Sequence, residues 1–251
     1  MGRKHLPSIK VTRKGSNIGD QMLASLFVHV LTNNNIDAVL ECKFDHLCNC
    51  PKPVSHNKYT NFEFRYEDNN YDYAYGNIVQ RAINAFNNRF HTNVHMICPD
   101  HIPVHFRKLN TPNYDVVMST KSSGWTLYKE WPYFTDLKHT LRQMGISSCD
   151  ISYIHNYACL NYVNNAKIYV GIDNGMAHYV SQFANNKAII IQSGYTNSEF
   201  WCYYNYDIIK NKVHCSPCSL RSGCIFNHAC MSEIKVNTVI DHIKRKLTQI
   251  I

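Results

Sequence analysis

Short apolar runs and helical stripes alternate along the chain, and the first forty residues show this pattern clearly. The run Ile9 to Arg13 predicts a strand, and apolar residues at helical spacing predict a helix from Met22 to Leu31. A turn that contains Gly15 and Gly19 separates the two, and Ile36 to Glu41 predicts the next strand. Strand, glycine turn and helix in this order begin a βαβ unit.

The pattern weakens in the middle of the chain. From Cys42 to about Arg107, tyrosine and asparagine dominate, and the one element predicted is a helix from Gly76 to Phe86. Leu109 to Asn113 contains a proline and two asparagines and is typical of a linker. We therefore predict two domains, residues 1–110 and residues 111–251.

A clearer α/β series follows this linker. Strands and helices of these lengths, in alternation, predict a parallel sheet with helices on both faces. Ligands of such sheets bind outside the carboxyl ends of the strands. The predicted elements are the strands Tyr114–Met118, Ala166–Val170 and Ala188–Gln192 and the helices Tyr133–Met144, Ile154–Asn165, Gly175–Ala184 and Glu233–Ile251.

Composition limits the class of protein and of partner. The 251 residues are 45% hydrophobic and 18% charged, as in soluble globular proteins, and no apolar run reaches the roughly 20 residues of a membrane helix. Eleven cysteines, an odd number, with no recognisable secretory signal favour a reducing cytoplasm. The charge of +8 favours an anionic partner, such as nucleotide phosphate, a phosphorylated glycolipid, an inner-membrane surface or nucleic acid. We expect no nucleic-acid binding, because the basic residues near the C-terminal cysteines are scattered and lack interleaved aromatic residues.

The segment from Ala166 to His178 places polar residues directly after a buried strand. Asp173 follows that strand, and Asn174 and Gly175 form a turn into a helix. Unpaired amides at the start of a helix and the positive end of its dipole favour a phosphate group. His178, in the first helical turn, could contact the phosphate or a sugar. The alternative is that Asp173 only caps the helix.

The same segment, Asp173-Asn-Gly-Met-Ala-His178, resembles the Asp-Thr-Gly-x-x-His motif of glycosyltransferase family 9, the ADP-heptose heptosyltransferases. Asn174 stands where the family has threonine, so the hydroxyl that could contact the donor is missing. The resemblance implies that this loop binds the donor. The implied donor-binding residues are Asp173, Asn174, Gly175, Met176 and His178.

An upstream segment, Ser119 to Pro132, is similar to the family's loop of small residues followed by Lys-x-Trp-Pro. The resemblance implies that Ser119, Thr120 and Lys129 hold the donor diphosphate. An ammonium group close to the leaving phosphate would stabilise the negative charge that grows on it. The alternatives are a solvated surface lysine for Lys129 and a hydrophobic anchor at a helix start for Trp131, which we prefer for Trp131.

Near the start of the chain, Ser16-Asn-Ile-Gly19-Asp20 resembles the family's glycine-aspartate turn. The resemblance implies that Gly19 contacts the donor and that Asp20 is the catalytic base. An inverting transfer requires a carboxylate that removes the proton of the acceptor hydroxyl as its oxygen attacks the anomeric carbon. The alternative for Asp20 is an N-cap of the following helix.

Four cysteines near the C-terminus have the spacing of a metal site. Gaps of two, five and five residues could place four thiolates around one zinc or iron ion with a structural role. The alternative is a run of reduced cysteines that packs a loop, and His214 and His228 could substitute as ligands. The family carries a similar cysteine pattern at this point. The four residues are Cys215, Cys218, Cys224 and Cys230.

The resemblance implies the GT-B fold, an α/β fold with two Rossmann-like domains facing a cleft, here with a small N-terminal domain that holds the acceptor. It implies transfer of a heptose from an ADP-linked donor to a hydroxyl of a glycan, a lipopolysaccharide core or a protein. No catalytic divalent ion is expected, since amides and a lysine can replace it and no Asp-x-Asp motif occurs. A non-catalytic nucleotide-sugar-binding protein derived from such an enzyme is the alternative.

Overall fold

Two parallel β-sheets form the framework of the protein in the computed structural model. The structure describes residues 6–14, 17–42, 50–65, 77–97, 110–122, 124, 126–154, 158–181, 188–197, 199–201 and 206–249. Tertiary contacts divide the chain into two units, Met1–Phe106 with Glu199–Cys202, and Arg107–Ser198 with Tyr203–Ile251. The predicted α/β class with a small first sheet is confirmed. The acceptor and donor roles of domains 1–110 and 111–251 stay predictions.

The first unit contains three parallel strands in the order β2-β1-β3. Its elements are β1 (Ile9–Thr12), α1 (Ile18–Asn33), β2 (Ala38–Glu41), β3 (Thr60–Glu63) and α2 (Ile78–Phe90). Strand β1 is central, because Ile9 is paired with Ala38 on one side and with Thr60 on the other. The sequence pattern does not predict β3, because its four residues bury only Phe62.

Helix α1 begins at Ile18, ahead of the predicted Met22. Asn17 keeps an extended backbone, with φ −80° and ψ 136°, and occupies the N-cap position. Gly19 and Asp20 therefore lie in the first helical turn, and the prediction that the turn extends through Asp20 is wrong. The residues Gly15 and Ser16 of that turn lie outside the described residues.

Aromatic side chains fill the core of the first unit. The rings of Phe27 in α1, Phe62 in β3 and Phe86 in α2 contact one another, with centroids 5.3 to 6.1 Å apart. Helix α2 begins after Asn77, whose side chain accepts two amide hydrogen bonds from the first turn. Such a cap stabilises a helix start by about 1 kcal/mol. It places the beginning of α2 slightly later than the predicted Gly76.

The second unit is a five-stranded parallel sheet in the order β5-β4-β6-β7-β8. Its strands are β4 (Val116–Ser119), β5 (Ser148–Asp150), β6 (Ile168–Ile172), β7 (Ala188–Ile191) and β8 (Asp207–Ile209). Its helices are α3 (Phe134–Gln143), α4 (Ala158–Asn165), α5 (Gly175–Ser181), α6 (Ala229–Ser232) and α7 (Val236–Gln249), and a 3-10 turn covers Leu127–Lys129. Residues 182–184 of the predicted fifth helix lie outside the described residues.

The core of the second unit explains which predictions succeed. Strand β6 is buried at every position, so its apolar run is visible in the sequence. One face of the sheet packs against α3 and α7 through a cluster that includes Val170, Leu137 and Ile240. Strands β5 and β8 have three residues each and are mostly half-buried, which leaves too little pattern to predict them. None of the helices within the described ranges is both long and apolar enough to cross a membrane.

Candidate functional site

The polar residues of the second unit meet at the carboxyl ends of three adjacent parallel strands. Ser119 ends β4, Asp173 follows β6, and Thr196 follows β7 by a short loop. The register pairs Ser119 with Gly171 and Ile172 with Ile191, so these ends lie at the same edge of the sheet. This is the edge at which parallel α/β sheets bind ligands.

Lys129 is the buried cation of this edge. Its side chain extends from the 3-10 turn Leu127–Lys129. Thr126 is the N-cap of this turn, and its hydroxyl accepts a hydrogen bond from the amide of Tyr128. The Nζ atom donates to the carbonyl oxygen of Asp173 at 2.9 Å and lies 3.2 Å from its Oδ2 atom. Lys129 is only 6% exposed. The alternative of a solvated surface lysine is therefore wrong.

Asp173 holds a fully buried carboxylate in this cluster. Besides Lys129, it accepts a hydrogen bond from the Thr196 hydroxyl at 3.3 Å. The Lys129 ammonium also lies 5.2 Å from the ring centre of Tyr195, a cation–π contact. Tyr195 and Thr196 are not among the site residues predicted from the sequence, although both follow the predicted strand that ends at Gln192. The rule that ligands bind beyond strand ends could have identified them.

Asn174, rather than Asp173, caps helix α5. Its Oδ1 atom accepts hydrogen bonds from the amides of Met176 at 3.0 Å and Ala177 at 3.1 Å. Its Nδ2 group donates to Ser119 Oγ at 2.9 Å and to the carbonyl oxygen of Lys121 at 3.0 Å. The capping alternative for Asp173 is wrong, and so is the expectation that the Met176 and Ala177 amides are unpaired.

Thr120 is held by the neighbouring strand β5. Its amide donates to Ser152 Oγ at 2.7 Å, and its hydroxyl donates to Asp150 Oδ2 at 2.9 Å. These bonds fix the beginning of the loop that follows β4. Ser123 and Trp125 of the same loop lie outside the described residues.

His178 lies in α5 and is almost completely buried. Burial, and to a smaller extent the charge of Lys129, lower the pKa of His178 to about 3. The imidazole is therefore neutral at physiological pH. It cannot supply a positive charge to a phosphate, although a neutral ring can still donate or accept a hydrogen bond.

Trp131 joins this region to the C-terminal helices. Its indole N–H donates to the carbonyl oxygen of Ile234 at 3.0 Å, and its ring is 2% exposed within the main core cluster. Trp131 is a hydrophobic anchor, as we prefer from the sequence.

Gly19 and Asp20 lie in the first unit. Asp20 Oδ2 is 3.5 Å from Nη2 of Arg13, whose side chain is 1% exposed, while the Asp20 side chain is 16% exposed. The structure therefore gives Asp20 a positive neighbour and a route to water. Because Asn17 occupies the N-cap position, the capping alternative for Asp20 is wrong.

The four predicted metal ligands line one cavity of about 20 Å³, together with Tyr128 and Tyr195. All four cysteines are reduced. Within the described ranges, no three His, Cys, Asp or Glu side chains are already arranged as metal ligands. The cavity has room for about one water-sized occupant, so four thiols around a space of this size fit a single zinc or iron ion, provided that the sulfur atoms close around it. The thiols are Cys215, Cys218, Cys224 and Cys230.

The two alternative histidine ligands have other contacts. His228 Nε2 contacts the carbonyl oxygen of Tyr128, and its ring lies against the Tyr128 ring with centroids 5.4 Å apart. The His214 ring packs edge-on against Phe226, with centroids 4.5 Å apart. The thiols are therefore the donor set that the structure favours.

No family model and no curated protein matches the sequence. Solved structures do match. The iron-containing dodecameric glycosyltransferase TibC from enterotoxigenic E. coli H10407 matches with a TM-score of 0.69 and 13% identity, over 96% of this chain and 77% of that chain. A second TibC structure, in complex with ADP-D-β-D-heptose, matches with a TM-score of 0.64 at the same identity and coverage.

Two further matches cover nearly all of both chains. A family 9 glycosyltransferase from Veillonella parvula DSM 2008 matches with a TM-score of 0.61 and 12% identity, over 96% of this chain and 97% of that chain. The E. coli ADP-heptose LPS heptosyltransferase II matches with a TM-score of 0.60 and 11% identity, over 96% and 99%. At these identities the likeness concerns the fold, and it shows that the chain has the GT-B fold of the family 9 glycosyltransferases.

Proposed function

We propose that this protein is an inverting glycosyltransferase that moves a heptose from an ADP-linked donor to a hydroxyl of a glycan, a lipopolysaccharide core or a protein. The observation that carries the proposal is the buried Lys129 ammonium, held against Asp173 at the ligand-binding edge of the second sheet. The family 9 fold supports the proposal, and TibC was solved with ADP-D-β-D-heptose. The expected place of action is the cytoplasm.

Lys129 is proposed to face the donor diphosphate. As the bond to the anomeric carbon breaks, negative charge grows on the leaving phosphate, and an ammonium held in a dry site stabilises it strongly. Asp173 and Thr196 keep the ammonium in place before the donor arrives. The donor loops would add Ser119, Thr120, Asn174, Gly175, Met176 and His178. Because Asn174 already accepts from the Met176 and Ala177 amides, a phosphate that uses these amides must displace its side chain.

Asp20 is proposed to take the proton of the acceptor hydroxyl. The hydroxyl oxygen attacks the anomeric carbon from the face opposite the diphosphate, which inverts the configuration. The partial exposure of Asp20 supports this role, because a base must reach the acceptor. Arg13 places a positive charge 3.5 Å from the Asp20 carboxylate. Gly19 is proposed to contact the donor from the same turn.

The cysteine cluster is proposed to hold one iron or zinc ion with a structural role. Such an ion would cross-link four points of the loop from Cys215 to Cys230. TibC is described as iron-containing, which supports iron. The chemical steps of sugar transfer are assigned to Asp20 and Lys129, and no step is assigned to the ion.

The first test is the binding of nucleotides and nucleotide sugars to the purified protein. ADP and ADP-heptose should raise the melting temperature more than UDP or GDP. A ligand at a hundred times its Kd stabilises the fold by about 2.7 kcal/mol, so the shift should be measurable. Lys129→Met should remove most of this shift. Lys138→Met, which changes an exposed lysine of α3, should leave it intact and is the matched control. A response that is flat for every nucleotide would contradict the proposed function.

A further inference from the structure

We propose that Tyr128 is a positioning residue that couples the cysteine-lined cavity to Lys129, so that a metal ion in the cavity fixes the ammonium that meets the donor. This inference rests on the proposed function. The coupling consists of two chains of contacts that run from the cavity wall to the same Nζ atom. One passes through Tyr128 and the other through Tyr195.

The first chain of contacts passes through Tyr128, the residue directly before Lys129. The Tyr128 hydroxyl accepts a hydrogen bond from the amide of Cys224 at 3.1 Å. The Tyr128 carbonyl oxygen contacts His228, and Tyr128 is one of the residues that line the cavity. A movement of Cys224 or His228 would therefore move the backbone that carries Lys129.

Thr126 secures the beginning of the same 3-10 turn. Its hydroxyl donates to the carbonyl oxygen of Arg221 at 3.1 Å, and its backbone carbonyl accepts from the Ser122 hydroxyl at 2.6 Å. The N-cap residue of this short turn and its middle residue are thus bonded to the cysteine loop, at Arg221 and at Cys224. A 3-10 turn has few hydrogen bonds of its own, so such outside contacts determine its position.

The second chain of contacts passes through Tyr195. The amides of Cys218 and Ser219 donate to the carbonyl oxygens of Gly194 at 2.9 Å and Tyr195 at 3.0 Å. The Tyr195 ring lies against the Lys129 ammonium. A side chain at Gly194 would press on Cys230 and Ser216, so this strand end and the cysteine loop are in close contact.

A metal ion would convert these contacts into a rigid unit. The cavity touches Tyr128 and Tyr195 as well as the four thiols, and it is too small for more than one occupant of atomic size. Thiolates drawn to an ion would fix Cys218 and Cys224, from which the two chains of contacts start. Without the ion, the loop must hold the same arrangement by backbone hydrogen bonds alone, and we expect the Lys129 turn to open more often.

The test measures Lys129 directly, without any donor. The protein is loaded with Zn²⁺ or stripped with a chelator, and amine labelling by acetic anhydride is followed at each lysine by mass spectrometry. Zn²⁺ should be bound at one ion per chain and should slow the labelling of Lys129 several-fold. Lys138 and Lys244, which are exposed, should label equally in both forms. The ADP affinity should fall in parallel with the loss of Lys129 protection.

Tyr128→Phe isolates the coupling from the metal. This variant keeps the ring and the cysteines but loses the acceptor for the Cys224 amide, so Zn²⁺ content should stay the same. Lys129 should nevertheless label faster, and ADP should bind about two- to tenfold more weakly, the range for one lost hydrogen bond. Tyr133→Phe is the matched control. The Tyr133 hydroxyl donates a hydrogen bond of 2.9 Å to the Ser232 carbonyl oxygen, and neither residue lines the cavity.

The outcomes separate this inference from the proposed function. If Lys129 labelling is the same with and without Zn²⁺, if the protein binds no Zn²⁺, or if Tyr128→Phe behaves like Tyr133→Phe, the coupling is wrong even when ADP binds. If labelling responds to Zn²⁺ and to Tyr128→Phe while no nucleotide binds to either form, the coupling stands and the glycosyltransferase assignment is wrong.

Discussion

Each of the two units holds a carboxylate beside a buried cation, but water reaches only one of the two carboxylates. In the second unit the Asp173 side chain has no exposed surface, and its Oδ2 atom lies 3.2 Å from the Lys129 ammonium, which also donates to the Asp173 backbone carbonyl at 2.9 Å. In the first unit the Asp20 side chain is 16% exposed and lies 3.5 Å from Arg13. The Lys129–Asp173 pair is therefore closed to water, and we call it the closed pair. The Arg13–Asp20 pair is open to water at its carboxylate, and we call it the open pair.

This difference indicates separate tasks for the two carboxylates. A proton acceptor must touch its substrate and exchange protons with it, which the buried Asp173 is badly placed to do. Asp173 instead fixes an ammonium, a task in which burial is an advantage because it excludes competing water. Asp20 can be reached from outside. The predictions below test this division, beginning with the largest expected effect.

Asp20→Asn should reduce sugar transfer by about 10²- to 10⁴-fold, the usual contribution of a general base. The amide keeps the shape of the side chain but cannot accept the proton. The melting-temperature shift caused by ADP-heptose should remain, because Asp20 is assigned to the acceptor and most of the proposed donor contacts lie in the second unit. Transfer is measured as ADP release in the presence of an acceptor, and donor binding as the thermal shift.

Asn17→Ala, which changes the N-cap position of α1 in the same segment, is the control for disturbance of that helix. It should lower activity far less than Asp20→Asn. Equal ADP release by the wild type and Asp20→Asn would remove Asp20 as the base, and no release by either would support a non-catalytic binding protein.

Asp173→Ala should destabilise the fold by about 3–5 kcal/mol, because it leaves the buried Lys129 ammonium without its carboxylate. Chemical denaturation of the purified variant measures the loss. Combining Asp173→Ala with Lys129→Met should recover a large part of it, since no buried charge then remains. Asp20→Asn should cost less stability than Asp173→Ala, because asparagine keeps a side-chain oxygen beside Arg13, whereas alanine leaves Lys129 without the carboxylate. If the two single variants were equally destabilised, the contrast between the closed and the open pair would be wrong.

Local sequence identifies this site only in part. The buried strand before Asp173 is visible because consecutive apolar residues fill β6, and the order of strands and helices predicts a parallel sheet. The pairing of Lys129 with Asp173 is not visible in the same way, because it joins residues 44 positions apart. It depends on β4 and β6 being neighbours, which the sequence alone does not state. The family resemblance implies both Lys129 and Asp173 as donor-binding residues, but it does not imply that they pair with each other.

The two capping interpretations fail for one physical reason. Ser, Thr, Asp and Asn all cap helices well, so composition cannot choose between neighbouring candidates. At α1 the N-cap is Asn17, three residues before Asp20. At α5 the N-cap is Asn174, directly after Asp173. The backbone decides the matter, since the N-cap is the last residue before helical dihedral angles begin.

His178 should make the free energy of unfolding depend on pH. Its pKa is about 3 in the folded protein, against 6.5 as the ordinary value, because burial and Lys129 disfavour the charged ring. Below pH 6.5 the unfolded chain binds a proton that the folded chain refuses, so stability falls as the pH falls. Between about pH 7.5 and about pH 5 this amounts to roughly 2 kcal/mol.

The measurement is chemical denaturation of the wild type and of His178→Gln across that range. The difference in unfolding free energy between the two should change with pH, and it should become constant above about pH 7.5. An exposed control, His139→Gln in α3, should keep the slope of the wild type. A pH slope that survives in His178→Gln would show that another group is responsible.

Substitution of Asn174 should have the smallest effect of those described. It tests whether a phosphate binds the amides at the start of α5. Asn174→Ala should cost about 1 kcal/mol of stability through the lost cap. At the same time it releases the Met176 and Ala177 amides from Oδ1, so ADP should bind more tightly, as measured by calorimetry. Asn174→Thr restores a capping oxygen and should return affinity towards the wild type. Weaker ADP binding by Asn174→Ala would instead mean that the Asn174 side chain supports donor binding, either by contacting the donor or through its hydrogen bonds to Ser119 and Lys121.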